Sequence, residues 1–90
     1  MIYLNIFDDE LVEYNNLSYI EFIFYKNSKE DVKKFKEELK KRFPFIAGFK
    51  TFCGVYFSFK LLVFCNTQKE CEQVLCPETN KLYKQISNYF

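Results

Sequence analysis

The residues of this 90-residue chain that could do chemistry are four cysteines, a short acidic run and a row of lysines; it has no histidine. Cys53, Cys65, Cys71 and Cys76 follow the spacing C-x11-C-x5-C-x4-C. Zinc ribbons hold their metal through close C-x2-C pairs, so this spacing does not predict a metal site. A thiol nucleophile needs a partner that makes it a thiolate, and without histidine the usual one is missing. The reading that remains is Cys65 and Cys71 as small buried residues that meet where a strand runs into a helix, with Cys53 and Cys76 half-buried or exposed. Asp8, Asp9 and Glu10 stand together, but no further acid at a clear spacing completes a shell for a hard cation, so they read as a turn. With no glycine-rich phosphate loop and no paired-acid site, the sequence predicts no enzyme, no cofactor and no bound metal.

The lysines are more ordered. Lys29, Lys33, Lys36 and Lys40 step by four, three and four residues, which lines them along one flank of a helix. Such a stripe suits phosphates or an acidic partner surface. It also suits a solvated face with pairs such as Glu30–Lys34 and Glu37–Lys41.

The element that must carry this stripe is residues 28–43, SKEDVKKFKEELKKRF. Ser28 is an N-cap, and Asp31 takes the place of the capping-box acid three residues on. Val32, Phe35, Leu39 and Phe43 recur at helical spacing and form a core stripe. Lys40, Lys41 and Arg42 suit the negative end of the helix dipole, and Pro44 stops the helix. Before it, MIYLNIF alternates as a short strand with Ile2, Leu4 and Ile6 on one side, and Asn15-Asn16 marks a turn. SYIEFIFYK, residues 18–26, reads as a strand with Ile20, Phe22 and Phe24 on one face and Tyr19, Glu21, Ile23 and Tyr25 on the other. Glu21 in so apolar a strand fits a sheet edge.

After the helix, FIAGFKTF is a second strand and Cys53-Gly54 a turn. Residues 55–65 then make a long strand. Val55, Phe57, Phe59, Leu61, Val63 and Cys65 share one face; Tyr56, Ser58, Lys60, Leu62 and Phe64 share the other. Thr67 and Glu70 form a second capping box that opens a helix with Cys71, Val74 and Leu75 inward, and Pro77 breaks or restarts it. The last stretch, NKLYKQISNYF, fits a strand with Leu82, Lys84 and Ile86 together, or a helix with Leu82, Tyr83, Ile86 and Tyr89 together. Propensity favours the helix.

From residue 18 the order strand, helix, strand, strand, helix resembles the ferredoxin-like, split βαβ arrangement. LLVFCNTQKECEQVL, residues 61–75, is similar to the end of the third strand and the start of the second helix of RNA-recognition-motif (RRM) domains, with Cys71 in the place of a small buried residue. IFYKN, residues 23–27, resembles part of that family's first-strand motif. The resemblance covers about residues 19–75. It implies a single α+β domain over residues 1–90: a ferredoxin-like sheet with two helices on one face and an extra N-terminal strand. Small protein subunits of RNase P and protein-binding RRM-like domains share that order. Where the RNA-binding members carry stacking aromatics on the third strand, this chain has Lys60 and Leu62. Phe24 stands where the first-strand stacking residue would.

Composition narrows the partner. Basic and acidic residues number 13 and 12, a net charge of +1, whereas a domain that binds mainly through phosphates is usually strongly basic. Aromatics make up 21% of the chain, more than one small core can hide, and aromatics are enriched at the cores of protein interfaces. The expectation is a non-catalytic module that docks to a partner protein, as an inhibitor or as a small subunit of a larger, ribonucleoprotein-like assembly. Tyr56, Leu62, Phe64, Tyr19 and Tyr25 would line its docking face. A homodimer through the open sheet face would hide the same rings. The alternative is an RRM-like RNA-binding module using Lys29, Lys33, Lys36, Lys40 and Phe24. Lys50 and Lys60 interrupt the longest apolar run, so no membrane span is expected. The N-terminus lacks the pattern of a secretion signal, so the expected setting is intracellular, cytoplasmic or nuclear, with free thiols.

Overall fold

The computed structural model describes residues 16–88 and the backbone of residues 3–6. Along the chain the elements are β1 (Tyr3–Ile6), β2 (Ser18–Phe24), α1 (Lys29–Arg42), β3 (Gly48–Gly54), β4 (Phe59–Cys65), α2 (Gln68–Val74) and α3 (Pro77–Ile86). The expected acidic turn at Asp8–Glu10 lies outside the described residues.

Both capping boxes form. Ser28 Oγ accepts from the Asp31 amide at 3.2 Å, and the Asp31 carboxylate accepts from the Ser28 amide at 3.0 Å. Thr67 and Glu70 repeat the exchange at the start of α2. Each box closes amides that a helix start otherwise leaves open, and each contributes about 1 kcal/mol. At the far end of α1, Lys41 and Arg42 both reach Glu38, at 3.7 and 4.0 Å.

Strand β4 lies between β2 and β3 and is antiparallel to both; β1 pairs with the other side of β3, so the order is β1-β3-β4-β2. β2 and β3 therefore run the same way, and α1 makes the connection between them. Residues opposite each other across a ladder share a face. The register sets Ile20, Phe22 and Phe24 beside Val63, Leu61 and Phe59, and these beside Phe49, Thr51 and Cys53. This face packs on the helices through Val32, Phe35, Leu39, Cys71, Val74, Leu82 and Tyr83. At its centre Phe22, Phe24, Phe35 and Tyr83 form a box of rings whose centroids lie 4.9–5.9 Å apart, tilted or edge to face. Such ring pairs add about 0.5–1.5 kcal/mol beyond their burial. The Tyr83 hydroxyl donates to the carbonyl of Ile23. Glu21 is on β2, at the end of the strand order, and pairs diagonally with Lys60 at 3.6 Å.

Two expectations need correction. There are three helices, not two: α2 ends at Val74, and Pro77 opens α3 at the first helical position, where its missing N–H costs nothing. The turn between β3 and β4 is not at Cys53-Gly54. β3 runs on through Gly54, and the chain reverses at Val55–Ser58, so Tyr56 and Phe57 sit on no strand face. The register of β3 on β4 demands this, because Cys53 must stand opposite Phe59 for the inner faces to match.

Candidate docking site at the hairpin tip

The β3–β4 turn is closed by the Ser58 amide on the carbonyl of Val55, at 3.2 Å, while the Gly54 amide donates to the carbonyl of Ser58, at 2.7 Å. Its central residues, Tyr56 and Phe57, have φ of 56° and 55°. Two consecutive left-handed residues are the pattern of a type I′ turn, whose twist matches the flanking strands. That turn normally holds Asn-Gly or Gly-Gly. A bulky residue with a Cβ costs roughly 1–2 kcal/mol there. Here two aromatics occupy both positions, and they remain 80% and 72% exposed. Val55 beside them is also exposed. Burial therefore does not repay the strain.

A brace holds this conformation. The Asn27 amide donates to the carbonyl of Phe57 at 2.8 Å. Asn27 is 2% exposed, and its carboxamide is used on both sides. Its Nδ2 donates to Ile86 O at 2.8 Å and to Asp31 Oδ2 at 3.1 Å, and its Oδ1 accepts from the Asn88 amide at 3.1 Å. Lys26, just before it, is itself left-handed at φ 56°, and its carbonyl accepts from Asn88 Nδ2 at 2.9 Å. The amide of Ser28 and the carboxamide of Asn27 both favour the ionised Asp31, whose pKa is lowered accordingly. Lys26, Asn27 and Ser28 line a groove on one side of the tip; Ser28, Lys29, Cys53 and Phe59 line one on the other. Lys26 also lies 5.5 Å from the centre of the Tyr25 ring. The tip is thus an exposed aromatic wedge with Lys26, Lys29 and Glu30 at its base.

The other predicted docking residues divide. Tyr19 and Tyr25 are exposed, 56% and 40%. Leu62 is half-buried, and Phe64, although on the sheet face away from the helices, is only 5% exposed, with the Tyr19 ring 5.8 Å from its own. Phe64 is therefore not part of an open docking face. On the same side Lys60 pairs with Glu21 and lies 5.9 Å from the Phe52 ring.

The predicted RNA-binding residues also divide. Phe24 is completely buried against Phe35 and Tyr83, because its face of β2 is the one the helices cover, so no base can stack on it. Lys36 Nζ contacts Thr51 Oγ1 at 3.4 Å, and Lys40 Nζ donates to the carbonyls of Pro44 and Ile46. Half of the stripe thus serves the packing of α1 on β3 and the loop that follows it. Lys29 and Lys33 are exposed.

The cysteines are free thiols placed as expected. Cys65 and Cys71 are fully buried, and burial, reinforced by Cys71, pushes the Cys65 thiol up to about 12. Cys76 is half-buried and its pKa is lowered, first by the Thr79 hydroxyl 3.5 Å from its sulfur. Among the described residues no three metal-ligating side chains come together, and no helix is long and apolar enough to cross a membrane.

In comparisons with known proteins, no family model, no curated protein and no solved structure matches the chain. The tip residues Val55 and Phe57 and the brace residue Asn27 are the functional candidates that sequence reasoning missed. Only the aromatic pair Tyr56-Phe57, two residues after Gly54, pointed to Phe57, and nothing in the sequence pointed to Val55.

Proposed function

We propose that this chain is a non-catalytic protein-binding module that docks through its β3–β4 tip. One observation carries the reading: Tyr56 and Phe57 are held, exposed, in a left-handed turn that their side chains disfavour. Strain that packing does not repay is maintained where a shape is used, and exposed aromatics on a rigid, pre-ordered loop lose little entropy on binding. Tyr56 stays in the docking set with Phe57 and Val55, and Tyr25 lies at its rim; Leu62 and Tyr19 lie instead on the sheet face away from the helices. We read β2 through α2 as a ferredoxin-like split βαβ unit to which β1 and α3 are added. The scaffold then serves to present the tip, and an inhibitor or a small assembly subunit would use it in the same way. The burial of Phe24 and the inward use of Lys36 and Lys40 weigh against the RNA reading.

The test is a photo-crosslinking amino acid at position 56, with position 34 on the exposed back of α1 as control, in an extract of the source cells. A discrete protein adduct at 56 alone, competed by the wild-type chain and not by the double variant Tyr56→Asn, Phe57→Gly, is the expected result. Adducts that form equally at 34, or that contain nucleic acid, or the chain's own dimer, would replace this reading.

A further inference from the structure

We infer that the turn after α3, Ser87–Asn88, is a latch on the hairpin tip: through Asn27 it sets the geometry of Tyr56 and Phe57, so that whatever engages the exposed Asn88 is read at the tip. The inference deepens the docking reading and rests on it for its use in regulation. Its physical content is a chain of four contacts. Asn88 Nδ2 holds the carbonyl of Lys26, at 2.9 Å, and so holds Lys26 in its left-handed conformation. That conformation aims the next amide, Asn27 N–H, at the carbonyl of Phe57, at 2.8 Å. The Asn88 amide holds Asn27 Oδ1, at 3.1 Å, while Asn27 Nδ2 holds Ile86 O, at 2.8 Å, so the carboxamide is fixed from the same short segment.

The consequence follows from the two conformations at stake. Lys26 is a non-glycine residue in the left-handed region and tends to relax out of it when nothing holds its carbonyl. Were it to relax, the Asn27 amide would turn away from Phe57 and the tip would lose its brace. The tip would then be free to leave a turn that its own residues disfavour. The brace is buried, since Asn27 is 2% exposed, whereas Asn88 at the other end of the chain of contacts is exposed. A partner that draws Asn88 away reaches the tip without touching it.

Amide hydrogen exchange on the whole chain tests this. Asn88→Ala removes the contact to Lys26 and keeps the backbone donor to Asn27. Asn88→Pro removes both, and Ser87, at φ −78° and ψ 143°, already has the backbone that a following proline requires. The expected result is graded. Exchange of the Asn27 and Ser58 amides rises about fivefold in the alanine variant and about thirtyfold in the proline variant, as one and two hydrogen bonds at roughly 1 kcal/mol each imply. The amides of β4 beyond the tip stay as in the wild type, and Gln85→Ala on the same helix changes nothing. Unaltered tip amides in both variants would overturn the latch, and so would acceleration spread evenly over β4. Because exchange is read on the isolated chain, a failed latch leaves the crosslinking result at position 56 untouched, and a failed crosslink leaves the latch standing.

Discussion

Replacing Tyr56-Phe57 by Asn-Gly should stabilise the fold and, under the proposed function, abolish docking. The two rings are 80% and 72% exposed, so only about a quarter of each is buried. Complete burial of such a side chain stabilises by about 1.5–3 kcal/mol, which puts the loss at roughly 0.3–0.8 kcal/mol per ring. Glycine adds about 0.5–1 kcal/mol of unfolded-chain entropy. Against these stands relief of two left-handed residues with bulky side chains, roughly 1–2 kcal/mol each. The net is a gain of about 1 kcal/mol, or a rise in Tm of about 4–8 °C for a domain of this size. Urea and thermal unfolding followed by circular dichroism measure it. The double variant Tyr56→Ala, Phe57→Ala separates the causes, since alanine loses the rings but keeps the Cβ strain, and it should gain nothing. A lower unfolding midpoint for Asn-Gly than for the wild type would show that the turn is not strained, and strain would then no longer mark the tip as a binding element.

Other perturbations test the remaining physics. The Cys65 thiol ionises near 9.0 when unfolded and at about 12 when folded, so the unfolded chain releases its proton first and stability falls as pH rises from 9 towards 12. The fall should approach about 1.4 kcal/mol per pH unit from this group, and Cys65→Ala should flatten it in unfolding curves taken at several pH values. Ser28→Ala should cost about 1 kcal/mol. The lowered pKa of Asp31 adds stability that is present above the unfolded value of 3.8 and lost as pH falls below it, so Asp31→Asn should lessen the acid sensitivity of urea midpoints. The Ser58 hydroxyl is buried without a partner among the described residues, so Ser58→Ala should be neutral or stabilising by up to about 1 kcal/mol in the same assay; a clear loss instead would mean the hydroxyl is satisfied.

Much of the fold was legible because local and tertiary preferences agree. Ser28–Asp31 and Thr67–Glu70 announce two helix starts, and the structure forms both. Ile20, Phe22 and Phe24 alternate with polar or half-buried neighbours, and the helices cover that face. The hairpin was misplaced for a clear reason. Gly54 is the residue that locally invites a turn, yet it lies in β3 with negative φ, and the reversal falls on Tyr-Phe, which nothing local recommends. The register of β3 against β4, a tertiary demand, overrides propensity there. Phe24 and Phe64 show a second limit: alternation says which residues share a face, but not which face the helices take or how far the other is covered. The role of Asn27 had no signal, because apart from Asp31, four residues on, its partners lie 30 and about 60 residues away.

The same tip bears on how fast the chain folds. β3 and β4 are neighbours in sequence, whereas β2 meets β4 across a separation of 35 residues at the near end, Phe24 with Phe59, and 47 at the far end, Ser18 with Cys65. Hairpins usually form early because little chain entropy is lost in closing them. A ladder begun at this turn would start from two central residues that resist it, so that advantage is reduced. Initiation then shifts towards α1 and its contacts with the ring box, and the hairpin zips from its open end towards the tip. The feature proposed for recognition would in this way also set the order of assembly, with the wedge among the last parts of the molecule to take shape.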